Sequence, residues 1–206
     1  MVSKVFGINR DRMTVIPNGI VPSVCYGVAS RFRESNGISE DFVLCVGRIE
    51  PRKNQVRLIK ALDDLGLTCV FIGAADRTSD YYRRCREAGK RHYWLSPMPY
   101  ASQELADAYA AARVLAQPSL FETPGLAALE GAAAGCAVVA SPNGGAKEYL
   151  GGVAHFPKVT SVPSIKAALA AAWVEGRVPG PRQEILDQYE WSHIAKALIK
   201  VYGDMK

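Results

Sequence analysis

"FVLCVGRIEPRKNQVRLIKALDDLGLTCVFIG", residues 42–73, decides the fold class. An apolar run (42–47) leads into an amphipathic helical pattern (54–66), and a second apolar run follows (68–73). Neither run alternates polar with apolar, as expected of strands buried on both faces. Parallel strands cannot be joined by a tight turn and need a crossover, so the stretch reads as a β-α-β unit. Asn54 is expected to cap the helix and Gly66 to close it.

The same pattern continues outward to residue 176. A helix is expected through "SDYYRRCREAG" (79–89), then a short strand near "HYWLS" (92–96). "SQELADAYAAA" (102–112) is a helix with a Ser cap, and the buried strand "VLAQPS" follows it. A further helix closes at Gly135, "CAVVAS" and "VAHF" read as strands, and residues 162–176 form an alanine-rich helix. The fold class is α/β: a doubly wound, Rossmann-like parallel sheet of about six strands. A single domain over residues 1–206 is expected, with 1–13 as a lead-in segment and 184–206 as a C-terminal helical segment.

Composition narrows the function classes. A chain of 206 residues that is 49% hydrophobic can bury a substantial core as one domain. The net charge of +5 suits an anionic ligand such as a nucleotide, but it is too diffuse to argue for nucleic acid. The densest basic stretch, residues 81–94, reads first as a helix with a solvated face and then a strand. Cys25, Cys45, Cys69, Cys85 and Cys136 are odd in number, scattered and without a C-x-x-C pair. They read as buried free thiols, which places the chain in a reducing cytoplasm. His92, His155 and His193 lack metal-ligand spacing, so no metal site is expected. No apolar run reaches the roughly 18 residues of a membrane span, and the N-terminus has no secretory pattern.

In a doubly wound sheet, ligands bind outside the carboxyl ends of the strands. The loops at 47–54, 73–80, 118–125 and 141–148 are therefore the ones to inspect. The first lacks a G-x-G-x-x-G phosphate loop; it offers Gly47 and then Arg48, Arg52 and Lys53. Cations there can neutralise two phosphates directly, although the loop reads equally well as a solvated basic turn. In the loop at 118–125, Thr123 is expected as N-cap, with Pro124 and Gly125 opening the helix. Free N–H groups of Gly125, Leu126 and Ala127 would then face the crevice and attract an anion. Glu122 stands before that mouth, and Glu130 sits roughly 7 to 9 Å further along at 1.5 Å per residue. An extended, hydroxyl-rich ligand could reach both carboxylates. The plainer reading is a loop cap and a wet helix face.

These motifs carry a resemblance. "VIPNGI" (15–20), "VGRIEPRKN" (46–54), the two glutamates of "PSLFETPGLAALE" (118–130), "GCAVVASPNGG" (135–145) and the acid of "KEYLGG" (147–152) resemble the donor-binding half of retaining GT-B glycosyltransferases, family 4. The resemblance runs over about residues 14–206. It implies that Arg48 and Lys53 hold a donor diphosphate and stabilise charge on the leaving group. Glu122 would contact the transferred sugar as a positioning residue, and Glu130 the nucleotide ribose. Gly47, Thr123, Pro124, Gly125 and Leu126 complete the implied donor site. The loop Ser96 to Tyr100 would lie near the base.

The implied reaction moves a sugar from a UDP- or GDP-sugar to an acceptor hydroxyl with retention, using no metal or other cofactor. GT-B enzymes also have an acceptor-binding domain, for which this chain has no room. That domain is expected in cis or in trans, and the chain alone is expected to bind donor with little or no transfer. The full enzyme could associate peripherally with a membrane, and no nucleic-acid partner is expected. A non-catalytic nucleotide-binding or regulatory module is the alternative; another Rossmann enzyme, such as a nicotinamide-dependent one, is disfavoured by the missing glycine loop. The terminal stripe Trp191, Ile194, Ala195, Leu198 and Tyr202 is expected either to pack on its own sheet or to face the missing domain.

Overall fold

The computed structural model describes residues 5–203. Six strands, β1 (Val43–Val46), β2 (Cys69–Ile72), β3 (Tyr93–Leu95), β4 (Val114–Gln117), β5 (Ala137–Ala140) and β6 (Ala154–His155), form one parallel sheet in the order β3-β2-β1-β4-β5-β6. The order reverses at β1, which pairs with β2 on one side (Val43 with Cys69) and with β4 on the other (Val43 with Val114). This reversal is the topological switch point, where a crevice opens outside the strand ends.

Successive side chains of each strand enter opposite cores, which explains the unbroken apolar runs. Leu44, Val70, Leu115 and Val138 point into one core, with α1 (Ala29–Asn36), α4 (Gln103–Ala111), α5 (Leu126–Ala133) and α8 (Gln183–Tyr189) supplying its other side chains. Val43, Cys69, Val114 and Val139 point into the other, which is covered by α2 (Gln55–Asp63), α3 (Asp80–Ala88) and α7 (Val162–Glu175). Burial of each such Val or Leu stabilises the fold by about 1.5–3 kcal/mol. On α5 the packing is close enough to demand glycine: a Cβ on Gly131 would lie 2.8 Å from Leu115 Cδ2. The helix α6 (Ala146–Leu150) follows β5.

Ser79 and Ser102 cap α3 and α4 through their hydroxyls, the latter as expected. Two other helix starts differ from expectation. Asn54 stands at the N-cap position of α2 but is left-handed (φ 64°), and its side chain makes no cap bond. Its Nδ2 instead donates to Pro118 O at 2.9 Å and Val159 O at 2.8 Å, and Oδ1, the atom a cap would use, accepts from Arg57 Nη1 at 2.9 Å. Thr123 does not cap α5 either: Gly125, at φ 65°, holds the N-cap position, and α5 begins at Leu126. Pro124 therefore precedes the helix, and the Gly125 N–H is not one of its free donors. A left-handed turn at that point needs a residue without Cβ strain, and only the glycine supplies it.

The chain's last helix, α9 (Trp191–Gly203), is held at its start. Ile20 N donates to Tyr189 O (2.7 Å), and Trp191 N donates to Ile20 O (3.2 Å). Of the expected stripe only Ile194 is buried, while Trp191, Leu198 and Tyr202 are 44%, 38% and 63% exposed. The stripe does not pack on this sheet because the helix leaves it after one turn.

Candidate functional site

Three strand-to-helix loops interlock at the switch point. Leu120 N donates to Arg52 O (2.8 Å), joining the loop after β4 to the loop after β1. Glu122 N donates to Asn143 O (3.0 Å) and Gly145 N to Glu122 O (3.3 Å), adding the loop after β5. The contact is so close that a Cβ on Gly144 (φ 116°) would fall 1.6 Å from Glu122 O. Gly47 likewise lets the β1 loop turn at φ 146°, and a Cβ there would sit 3.4 Å from Lys53 Cε.

This framework brings two of the expected site residues into direct contact. Lys53 Nζ lies 2.5 Å from Glu122 Oε1, and Arg52 Nη1 lies 3.4 Å from Glu122 Oε2. Glu122 is buried, so a carboxylate here needs both cations. Arg48 does not join them. Its side chain is 68% exposed, and Nε reaches only Glu50, at 3.3 Å, on the rim. The crevice thus has two cations already paired with Glu122 and an outer one facing solvent.

Glu130 is buried on α5 rather than lying on a wet face. Tyr109 OH donates to its Oε2 at 2.7 Å, while Oε1 has no partner. Burial pushes the Glu130 carboxyl above the usual range, and the Tyr109 bond opposes that rise. Gln117 Oε1 and Ser119 Oγ are also buried without partners, on the end of β4 and the loop beyond it. Buried polar atoms left unsatisfied are uncommon, and three in neighbouring elements suit an incoming polar ligand. Thr123 is exposed, Pro124 and Leu126 are half-buried, and Gly125 lies under the loop. A Cβ on Gly125 would be 3.8 Å from Glu122 Cβ and 4.0 Å from Gln117 Oε1.

Tyr109, Gln117 and Ser119 also belong to this constellation and carry no local signal in the sequence, whereas Arg52 stands in the basic loop and Asn54 at the helix start. A cavity of about 590 Å³ lies apart from these groups, between Arg31 and Phe32 of α1, Pro97 and Met98, and Asp107 of α4. Among the described residues no group of three or more His, Cys, Asp or Glu could hold a metal ion, and no helix is long and apolar enough to cross a membrane. All five cysteines are buried and free.

Known proteins resemble this chain in sequence and in fold. An uncharacterized glycosyltransferase of Methanocaldococcus jannaschii is 29% identical over 219 residues, covering 98% of this chain and 56% of the relative. The sucrose-phosphate synthase of Thermosynechococcus elongatus superposes with a TM-score of 0.78 at 24% identity, over 93% of this chain and 52% of that one. The Anabaena protein HepE, solved in complex with UDP, superposes with a TM-score of 0.71 at 21% identity, over 96% of this chain and 59% of its own. The chain spans about half the length of the curated relatives it matches. Its fold is that of one Rossmann-like half of a GT-B glycosyltransferase, similar to the C-terminal domain. The family described as glycosyl transferases group 1 matches residues 29–170, and the chain belongs to that family.

Proposed function

We propose that the chain is the donor-binding half of a retaining hexosyltransferase of family 4, and that it takes a UDP- or GDP-sugar. The observation that carries this reading is the Lys53–Glu122 contact at the switch point, with Glu130 holding a free buried oxygen one helical turn into α5. A cation, an anion-tolerant helix mouth and two carboxylates are the groups needed for a diphosphate flanked by two hydroxyl-bearing sugars. Lys53 and Arg48 would bind the diphosphate and stabilise the charge that grows on it as the glycosidic bond breaks. Glu122 would orient the transferred sugar, and Glu130 would accept from the ribose hydroxyls. Gly47 and the segment Thr123 to Leu126 would allow close backbone approach, with Leu126 and Ala127 N–H groups facing the phosphates. No metal or other cofactor is invoked.

Transfer in this reading needs an acceptor-binding GT-B domain, in cis or in trans, and such an enzyme works in the cytoplasm, with peripheral membrane association open to it. Calorimetry with UDP- and GDP-sugars tests the reading. Binding of one of them, weakened by Arg48→Ala and by Lys53→Ala, is expected. No binding to any, or binding indifferent to both changes, overturns it.

A further inference from the structure

A second cation cluster lies behind the Lys53–Glu122 pair. A cavity of about 530 Å³ separates α2 from α3 and is lined by Arg57 and Lys60 of α2, Arg84 of α3, and Leu120 of the loop after β4. Arg57 and Lys60 stand three residues apart on one helix face, so both can address the same ligand. None of the three cations has a carboxylate partner among the described residues; Arg57 donates only to Asn54 Oδ1, at 2.9 Å. The one acid on the lining, Asp80, is already paired with Arg83. Three cations against one engaged carboxylate leave the cavity strongly positive, and its volume fits a small molecule.

The surroundings argue against a larger polyanion. Asp63 pairs with Arg91 at 3.0 Å and Asp64 with Lys166 at 3.6 Å, so acids interrupt the basic surface at the end of α2, one turn beyond Lys60. A nucleic acid needs a long, continuous basic track. A compact multivalent anion needs only converging cations. We propose that this cavity binds a small phosphorylated compound carrying two or more negative charges, such as a diphosphate or a sugar monophosphate, at a site distinct from the nucleotide-sugar crevice.

The cavity is also wired to that crevice. Arg57 holds Asn54 through Oδ1, and Asn54 Nδ2 holds Pro118 O at 2.9 Å. Pro118 and Leu120 belong to the loop that carries Glu122, and Leu120 touches the cavity directly. An anion that recruits Arg57 competes with Asn54 for the guanidinium, and it thereby loosens one tie on the Glu122 loop. This second part rests on the function proposed above; the binding site itself does not.

Titration of the whole chain with inorganic pyrophosphate, followed by backbone amide NMR, tests the site. Shifts are expected at 56–60, 81–84 and 120, separate from any at 47–53. Lys60→Gln/Arg84→Gln removes two exposed cations that make no hydrogen bonds in the fold, so the protein stays folded. It should weaken the first set at least 10-fold, while Lys60→Arg/Arg84→Lys retains it and Lys196→Gln/Lys200→Gln on α9 leaves it unchanged. Shifts confined to 47–53, or equal losses in the α9 control, overturn the site. Pyrophosphate binding at 56–60 with no nucleotide-sugar binding anywhere leaves the site standing and removes only the proposed function and the coupling.

Discussion

Lys53 Nζ and Glu122 Oε1 stand 2.5 Å apart across 69 residues of sequence, and Glu122 is buried. A diphosphate entering this crevice competes with Glu122 for the lysine. Glu122→Gln should therefore raise diphosphate affinity about 3- to 10-fold, since about 1 kcal/mol of competing interaction is removed. Transfer in the presence of an acceptor domain should fall at the same time. Calorimetry with UDP checks the first half, and weaker binding would make the pair a structural strut only. Lys53→Ala should cost about 3 kcal/mol of stability, because the buried carboxylate keeps only Arg52.

Glu130 is expected to trade stability for binding. Its folded pKa is raised by burial, so the ionised form is disfavoured in the fold. With a raised carboxyl pKa, the free protein gains stability as pH falls through the folded value toward the ordinary carboxylate range, and loses it on the way up. Glu130→Gln should raise stability at neutral pH by about 1 kcal/mol, or roughly 2–4 °C in Tm, while nucleotide binding weakens. Thermal melts from acid to neutral pH should show the wild type and variant converging as the carboxyl protonates.

Asp107 is predicted to behave in the opposite sense. Hydrogen bonding from Arg31 holds its carboxyl down at about 2, and the Val28 N–H (2.7 Å) and Gln103 (3.0 Å) add to that. This contribution is fully present above the ordinary carboxylate pKa of about 4 and is lost as pH falls through about 2. Asp107→Ala should cost about 2–3 kcal/mol at neutral pH, measured by urea unfolding, with the difference from wild type shrinking in strong acid.

Gly144→Ala should prevent the β5 loop from reaching Glu122, given the 1.6 Å approach to Glu122 O and the φ of 116°. A loss of more than about 3 kcal/mol, or no soluble protein, is expected. Gly152→Ala, with open space around it, is the matched control and should melt with the wild type.

Leu198→Ser, Ile199→Ser and Tyr202→Ser should each change the stability of the isolated chain by no more than about 0.5 kcal/mol, since these side chains are 38%, 69% and 63% exposed. A larger loss in chemical denaturation would mean that the stripe packs against its own domain after all.

The sheet was legible because β1, β2, β4 and β5 are buried on both faces, and a two-sided strand has no choice but to be apolar throughout. The crevice was legible at Glu122, a charge standing alone in an apolar run, and at Lys53 as one of three cations in a basic loop. Other parts were hidden. Helix α1 (29–36) has seven polar or small residues around the single buried Phe32, so its periodicity is faint. Thr123 and Asn54 carry ordinary cap chemistry, but tertiary carbonyls and the turn at Gly125 took precedence over local preference. Tyr109 reaches Glu130 across 21 residues from another helix, a pairing no local pattern announces.

The pair of main-chain bonds at Ile20 has a mechanical meaning. They fasten the segment that enters the domain to the start of the helix that leaves it. Tension applied between residues 14 and 203 is borne first by this two-bond clasp and reaches the sheet only after the clasp opens.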